Sequence, residues 1–238
     1  MGIFTTQNEQ RDGSMNIFES LISVVAPHDC IGCGLQGTLL CSRCLSLSSI
    51  ASPERCGLCG GQSDENKTCS VCTRSSYCHR ISIHRPYAGI AKELVKRLKY
   101  RNARAAAKVI ADQMTVFPSQ IHDHTLVVPV PTATSRVRQR GYDQSVLIAR
   151  HLGKRYDLKV SELLVRHGQS RQVGSKRDQR VVQLAEAYTV RNQIHVVGSH
   201  IILVDDVMTT GTTIEAAARV LKKAGARTVD ACVFARAE

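Results

Sequence analysis

The chain of 238 residues has no tryptophan, only six tyrosines and four phenylalanines, and far fewer acids than bases. So few aromatics leave little for the base-stacking platforms on which single-strand nucleic-acid binders rely, with Tyr87, Tyr100 and Tyr142 as the available candidates. No apolar run approaches the length of a membrane span, which argues against a transmembrane helix. Met1 to Ile22 lacks a basic start, a long apolar centre and a small-residue cleavage site, so no secretory signal is expected. Met1-Gly2-Ile3-Phe4-Thr5-Thr6 fits the loose N-myristoylation pattern, but nothing basic follows it as a second membrane signal. Twenty Asp and Glu against thirty-two Lys and Arg leave a formal net charge of +12. That balance points to polyanions or phosphorylated small molecules as partners. The length suffices for one α/β domain plus a small module.

Cysteine, by contrast, is abundant and concentrated. Nine of ten cysteines lie between residues 30 and 78. Four Cys-x-x-Cys pairs, Cys30 and Cys33, Cys41 and Cys44, Cys56 and Cys59, Cys69 and Cys72, set thiolates on tight knuckles suited to tetrahedral zinc. A disulfide framework would need an oxidising compartment, which nothing at the N-terminus promises, and the expected location is cytoplasmic. Eight ligands suggest two structural Zn²⁺ sites. Sequential pairing, interleaved pairing and a single occupied site all satisfy the count. Cys78 and His79 are spare and could replace a ligand, with a packing or surface role as the preferred reading. So short a module has little core, so a metal would supply its folding energy. The expected organisation is a leader over 1–27, a Cys-rich module over 28–80 and an α/β domain over 81–238.

The most informative stretch begins at Ile201. Ile201-Ile202-Leu203-Val204 reads as a strand buried on both faces, as in a parallel sheet. It runs into Asp205 and Asp206, then a loop, Thr209-Thr210-Gly211-Thr212-Thr213, and a helix with Ile214, Ala217, Ala218 and Leu221 on one face. A helix N-terminus offers unpaired N–H groups and positive dipole to a phosphate, and the threonine hydroxyls add donors. The carboxylates can accept from vicinal ribose hydroxyls or hold Mg²⁺ through water. The plainer alternative is a capping box, with Thr212 paired to Glu215 three residues on.

Between these regions the chain reads as alternating helices and strands, which implies a parallel sheet with its ligand at the carboxyl ends. A basic helix is expected from Ala88, with Ile90, Leu94, Leu98, Ala105 and Val109 inward. Lys96, Lys99 and Arg101 on its outer faces offer either a solvated surface or a phosphate-tracking one for single-stranded DNA. Thr125 to Pro131 reads as a buried strand. A loop follows with Arg136, Arg138 and Arg140, whose guanidinium groups suit a pyrophosphate. A helix is expected from about Asp143 to Tyr156, then a strand over Lys159 to Val165. The polar run from Arg166 to Arg180, with Arg171, Lys176, Arg177 and Arg180, reads as a basic lid or an unordered loop. Strands over Ala185 to Val190 and Thr228 to Ala235 complete the set, with Cys232 a buried core residue.

The string Val204-Asp-Asp-Val-Met-Thr-Thr-Gly-Thr-Thr213 resembles the phosphoribosyl pyrophosphate (PRPP) loop of type I phosphoribosyltransferases. With the cysteine pairs, Leu98-Lys99-Tyr100, Val128-Pro129-Val130-Pro131, Arg138-Gln-Arg-Gly-Tyr-Asp-Gln144 and Ser170 to Arg180, the order resembles the ComF/GntX family over roughly residues 28 to 236. The resemblance implies a phosphoribosyltransferase-like sheet behind a zinc finger, and a role in natural competence and DNA uptake. It implies ribose hydroxyls on Asp205 and Asp206, 5′-phosphate on Thr209 to Thr213, and pyrophosphate at Pro131 to Ser135 with bridging Mg²⁺. PRPP or a nucleotide would be the ligand, with single-stranded DNA and uptake proteins as further partners. The alternative is an active transferase passing ribose 5-phosphate to an unidentified acceptor. Purine-salvage relatives carry a carboxylate where this chain has Thr209, which disfavours a purine acceptor. Asp143 stands where asparagine is common. No catalytic residue is assigned.

Overall fold

The computed structural model describes residues 29–47, 54–167 and 186–237. The expected leader lies outside the described residues, as do Arg171, Lys176, Arg177 and Arg180 of the basic run. The chain divides into two units, Met1–Ser49 and Ile50–Glu238. The cysteine-rich stretch is thereby split, and its second half belongs with the α/β body.

In the first unit, Cys30 N–H donates to Leu35 O at 2.8 Å and Gly34 N–H to Cys30 O at 2.8 Å. These bonds close a tight knuckle that presents Cys30 and Cys33. Helix α1 (Ser42–Leu47) carries Cys44 inward.

The second unit is built on a five-stranded parallel sheet in the order β1-β7-β6-β2-β3. Its strands are β1 (Arg80–Pro86), β2 (Thr125–Pro129), β3 (Lys159–Val160), β6 (His200–Met208) and β7 (Thr228–Arg236). A separate antiparallel pair joins β4 (Leu164–Arg166) to β5 (Tyr188–Val190). The helices are α2 (Gly89–Tyr100), α3 (Ala105–Asp112), α4 (Thr134–Arg140), α5 (Gln144–Tyr156) and α6 (Thr212–Lys223). The expected parallel α/β architecture is therefore present. Strand β6 is central, and Ile201 to Val204 are buried within it as their unbroken apolar run requires. Helix α6 lays Ile214, Ala217, Ala218 and Leu221 against the sheet, each essentially inaccessible to water. Burying a side chain the size of Leu221 stabilises by about 1.5–3 kcal/mol.

Several expectations shift. The basic helix from Ala88 is two helices, broken after Tyr100, where Asn102 takes a left-handed φ of 52°. Asparagine tolerates that conformation better than most residues. The inward face of α2 is Ala91, Leu94, Val95 and Leu98, and Ile90 lies only partly buried at its side. The arginine-bearing segment after β2 is a short helix rather than a loop, ended by Gly141. Lys159 to Val165 is two strands in different sheets, because only Lys159 and Val160 keep parallel register with β2. Strand β6 continues through Asp205 and Asp206 to Met208, so the acidic pair lies in the strand and not beyond it. Strand β1 was not expected. Its Ile-Ser-Ile alternation is short and flanked by Arg80 and His84, and pairing with β7 decides its state.

Candidate functional site

The end of β6 brings its two carboxylates against two other elements. Lys99, in the last turn of α2, donates to Asp206 Oδ1 at 2.9 Å and lies 2.8 Å from Oδ2. No hydrogen bond is directed at Oδ2, which is fully buried. Asp205 Oδ1 accepts from Ser145 Oγ at 3.2 Å and from the Asp206 backbone N–H at 2.9 Å. Ser145 stands in the first turn of α5, whose N-cap Asp143 is a third carboxylate. Asp143 accepts from Thr132 N–H at 2.8 Å and Thr132 Oγ1 at 3.1 Å. Burial pushes the Asp143 carboxyl up, with the Asp206 charge adding to the effect. For Asp205 burial and the charge of Asp206 together raise it to about 7. Three carboxylates thus lie close together, and Lys99 reaches Asp206 directly. An oxygen-rich donor set with more carboxylates than cations fits Mg²⁺, a hard cation that prefers carboxylates and water.

Beyond β6 the loop rises through exposed Thr209 and Thr210 to Gly211, at φ 79°, a left-handed turn that suits glycine. Gly211 is the N-cap of α6, and no side chain caps this helix end. The first helical bond runs from Glu215 N–H to Gly211 O at 2.9 Å, so the N–H groups of Thr212, Thr213 and Ile214 precede the ladder. Thr210 Oγ1 and Thr212 Oγ1 lie 2.8 Å apart across the mouth of the turn. The capping-box alternative is overturned. Glu215 turns away, its Oε1 accepting from Ser76 Oγ at 2.6 Å and its Oε2 from Tyr77 N–H at 2.8 Å.

The arginines of α4 flank this end of the sheet. Arg136 and Arg138 are exposed, while Arg140 donates to Gln144 Oε1 at 2.8 Å and lies over Tyr100 at 5.4 Å. Arg104 lies 4.9 Å over the ring of Tyr142, whose hydroxyl donates to Leu98 O. Tyr142 is buried by these contacts, whereas Tyr100 is 74% exposed. Lys96 and Arg101 are also exposed, and Lys99 is committed to Asp206. Of the three basic residues considered for nucleic acid, two are on the surface and one is in the carboxylate site.

Sequence reasoning did not place Lys99, Ser145 or Tyr188 at this site. The hydroxyl of Tyr188 is buried without a hydrogen-bond partner, and burial pushes it up to about 12, with Asp205 and Asp143 among its charged neighbours. The motif Leu98-Lys99-Tyr100 contains the one available signal, for Lys99. Ser145 and Tyr188 carry none, because their approach depends on how α5 and β5 pack.

The cysteines assemble into two sets, Cys30 with Cys33, Cys41 and Cys44, and Cys56 with Cys59, Cys69 and Cys72. Within each set the four sulfur atoms lie within 4.8 Å of one another. This is the sequential pairing. Cys33 and Cys41 Sγ are 3.7 Å apart, as are Cys59 and Cys69 Sγ. A zinc tetrathiolate with Zn–S of about 2.3 Å spaces its sulfurs by about 3.8 Å, so both sets fit the metal. Backbone N–H groups favour the thiolates: Cys41 N–H points at Cys30 Sγ at 3.4 Å and Gly61 N–H at Cys59 Sγ at 3.4 Å. Such contacts, led by the N–H of Cys41, lower Cys30 to about 6. Cys78 and Cys232 stand apart from both sets and are buried, which raises their thiols.

Comparison with known proteins now bears on the site. A model of the phosphoribosyl transferase domain matches residues 139–238, which take in α5, β6, the loop, α6 and β7. Competence protein ComFC of Bacillus subtilis is 29% identical over 195 residues, covering 78% of this chain and 79% of that protein. Competence protein F of Haemophilus influenzae is 26% identical over 214 residues, covering 83% of this chain and 90% of that protein. The resemblance of this chain to the ComF family is thereby supported over most of its length. A solved structure, the allosteric regulatory enzyme of purine biosynthesis, aligns over 56% of this chain and 25% of that one. With 18% identity and a TM-score of 0.35, it adds nothing to the fold described above. The domain match lies over residues 139–238, and the cysteine sets precede it.

Proposed function

We propose that this ComF-like protein binds PRPP, or a related sugar phosphate or nucleotide, together with Mg²⁺, and serves DNA uptake or handling in natural competence. The observation that carries the reading is the continuity from the buried pair Asp205 and Asp206 to the uncapped N-terminus of α6. Across that span one end of a ligand meets acceptors and the other meets N–H donors. Asp205 and Asp206 accept the ribose hydroxyls, and Thr209, Thr210, Gly211, Thr212 and Thr213 enclose the 5′-phosphate. Arg136, Arg138 and Arg140 are within the same end of the fold to meet pyrophosphate, with Arg171, Lys176, Arg177 and Arg180 as the closing lid. Asp205 and Asp206 would hold Mg²⁺, which neutralises pyrophosphate oxygens when bound. Thr209 supplies a hydroxyl and no carboxylate, so proton transfer to a purine acceptor has no base at that position.

The competence role comes from the names of the two relatives and from the basic surface beside the site. Lys96, Arg101 and exposed Tyr100 with Arg140 behind its ring offer a small patch for single-stranded DNA. Eight free cysteines in metal-binding sets suit a reducing compartment, and the cytoplasm is the proposed location. No described helix is long and apolar enough to cross a membrane.

Calorimetric titration with PRPP and Mg²⁺ tests the site. Binding should require Mg²⁺ and disappear in Asp205→Asn combined with Asp206→Asn; undiminished binding in that variant sinks the assignment. In parallel, affinity for single-stranded DNA should fall steeply with salt, and its indifference to replacing Lys96 and Arg101 would remove the patch.

A further inference from the structure

Glu215 is buried one turn into α6, where a negative charge ordinarily complements the helix dipole or returns to the N-cap. A returning carboxylate would occupy the donors that a phosphate needs. Here it reaches instead to Ser76 and Tyr77, at 2.6 and 2.8 Å. Those residues directly follow the 3₁₀ turn Cys72–Arg74, and Ser75 N–H donates to Cys72 O at 3.0 Å. The Ser76 hydroxyl also accepts from Cys78 N–H at 3.1 Å. On the other side of the same cysteine set, Arg236 at the end of β7 donates to Gly57 O at 2.9 Å and Leu58 O at 3.2 Å. Gly57 and Leu58 are the two residues between the ligands Cys56 and Cys59. Cys56, Leu58 and Cys78 share one buried cluster with Met208 and Ile214, which bracket the loop 209–213.

We infer that Glu215 is a positioning residue that ties the first turn of α6 to the second four-cysteine metal site, so that metal occupancy there governs the geometry of the loop. The effect on ligand affinity rests on the sugar-phosphate reading above; the mechanical link does not. Loss of the metal frees Cys72, the turn that follows it loosens, and the carboxylate that anchors α6 loses its donors. Coupling of this kind is reciprocal, so a ligand on the loop also retains the metal.

Hydrogen exchange on the zinc-loaded full chain tests the link. The amides of residues 215–218 are the first in α6 to be hydrogen-bonded, and those of 126–128 in β2, read under native conditions, report local opening elsewhere in the sheet. In Glu215→Ala residues 215–218 should exchange about tenfold faster while 126–128 stay unchanged, and in Cys69→Ser with Cys72→Ser, which lowers global stability as well, 215–218 should accelerate about tenfold more than 126–128. Glu215→Gln should stay within about twofold of the parent, since its carbonyl still accepts from Tyr77 and its amide can donate to Ser76 Oγ. Cys41→Ser with Cys44→Ser should leave 215–218 unaltered. If the double cysteine variant of the second set does not fold, Glu215→Ala decides, and Ser76→Ala should move exchange the same way by less. Unchanged exchange in Glu215→Ala overturns the inference, and so does equal acceleration in 126–128. With PRPP as probe, Glu215→Ala should weaken binding about tenfold and Glu215→Gln should restore it. A parent protein that binds no PRPP defeats the sugar-phosphate reading, and the exchange result still decides the link.

Discussion

The two four-cysteine sets use the same ligand spacing inside each pair and reach the same sulfur geometry, yet their surroundings differ. The first belongs to the Met1–Ser49 unit, where, among the described residues, Leu39 and Leu40 are the buried apolar residues beside Cys30 and Cys44. With so little apolar surface described around it, a metal held there would supply folding energy locally. The second set is part of the α/β core. Cys56 is wholly buried, Leu58 and Cys78 share a cluster with Ile81 and Met208, and Cys69 and Cys72 pack on its margin. Identical chemistry therefore has local consequences in one place and distributed ones in the other. Ligand spacing specifies the sulfur geometry; the packing around it specifies what a metal there would support.

The sharpest way to break this contrast is to remove two ligands from each set in turn. Cys69→Ser with Cys72→Ser should destabilise the α/β unit by about 3 kcal/mol or more, read as the urea midpoint by far-ultraviolet circular dichroism. Cys41→Ser with Cys44→Ser should leave that transition within about 0.5 kcal/mol, because those ligands belong to the other unit and contribute separately. Equal losses would mean that the first set also supports the sheet.

A smaller effect is expected at Gly57. A Cβ there would lie 2.4 Å from Ile81 O and 2.6 Å from Ile81 Cβ, atoms of a paired strand that cannot retreat. Gly57→Ala should cost about 2–3 kcal/mol by overpacking and shift zinc affinity of the second set alone. Arg236→Ala removes the guanidinium that holds Gly57 O and Leu58 O. About 2 kcal/mol should be lost, and a chelator should strip the second set faster than the first.

The last expected effect, a pH dependence, concerns the paired carboxylates at the end of β6. Burial, then the Asp206 charge, raises folded Asp205 to about 7, above its ordinary 3.8. The folded chain therefore holds this proton more tightly than the unfolded one. Stability from that source is complete below about pH 4 and is lost as pH rises through 7, at a slope of at most about 1.4 kcal/mol per unit. In zinc-loaded, magnesium-free protein, melting temperatures should show the parent falling relative to Asp205→Asn between pH 5 and 8. Mg²⁺ favours the ionised carboxyl and should reduce that fall. A flat difference across the range would show that Asp205 is already ionised in the folded state.

The primary sequence alone determined a good deal. The apolar run of β6, the threonine-rich loop and the amphipathic α6 were legible because strand burial, glycine conformation and helix periodicity are local properties. The four Cys-x-x-Cys pairs were legible for the same reason, since two thiolates on one knuckle need only their own backbone. Only the tertiary structure decided which pairs share a metal, that Lys99 faces Asp206 and not solvent, and that Glu215 serves Ser76 and Tyr77 instead of its own helix cap. Those contacts span 107 residues for Lys99 to Asp206 and 139 for Ser76 to Glu215. A charged side chain carries no local mark of its partner. Lysine on a basic helix and glutamate three residues beyond a threonine have ordinary local explanations, and packing of the sheet and its flanking turns is what selects the distant ones.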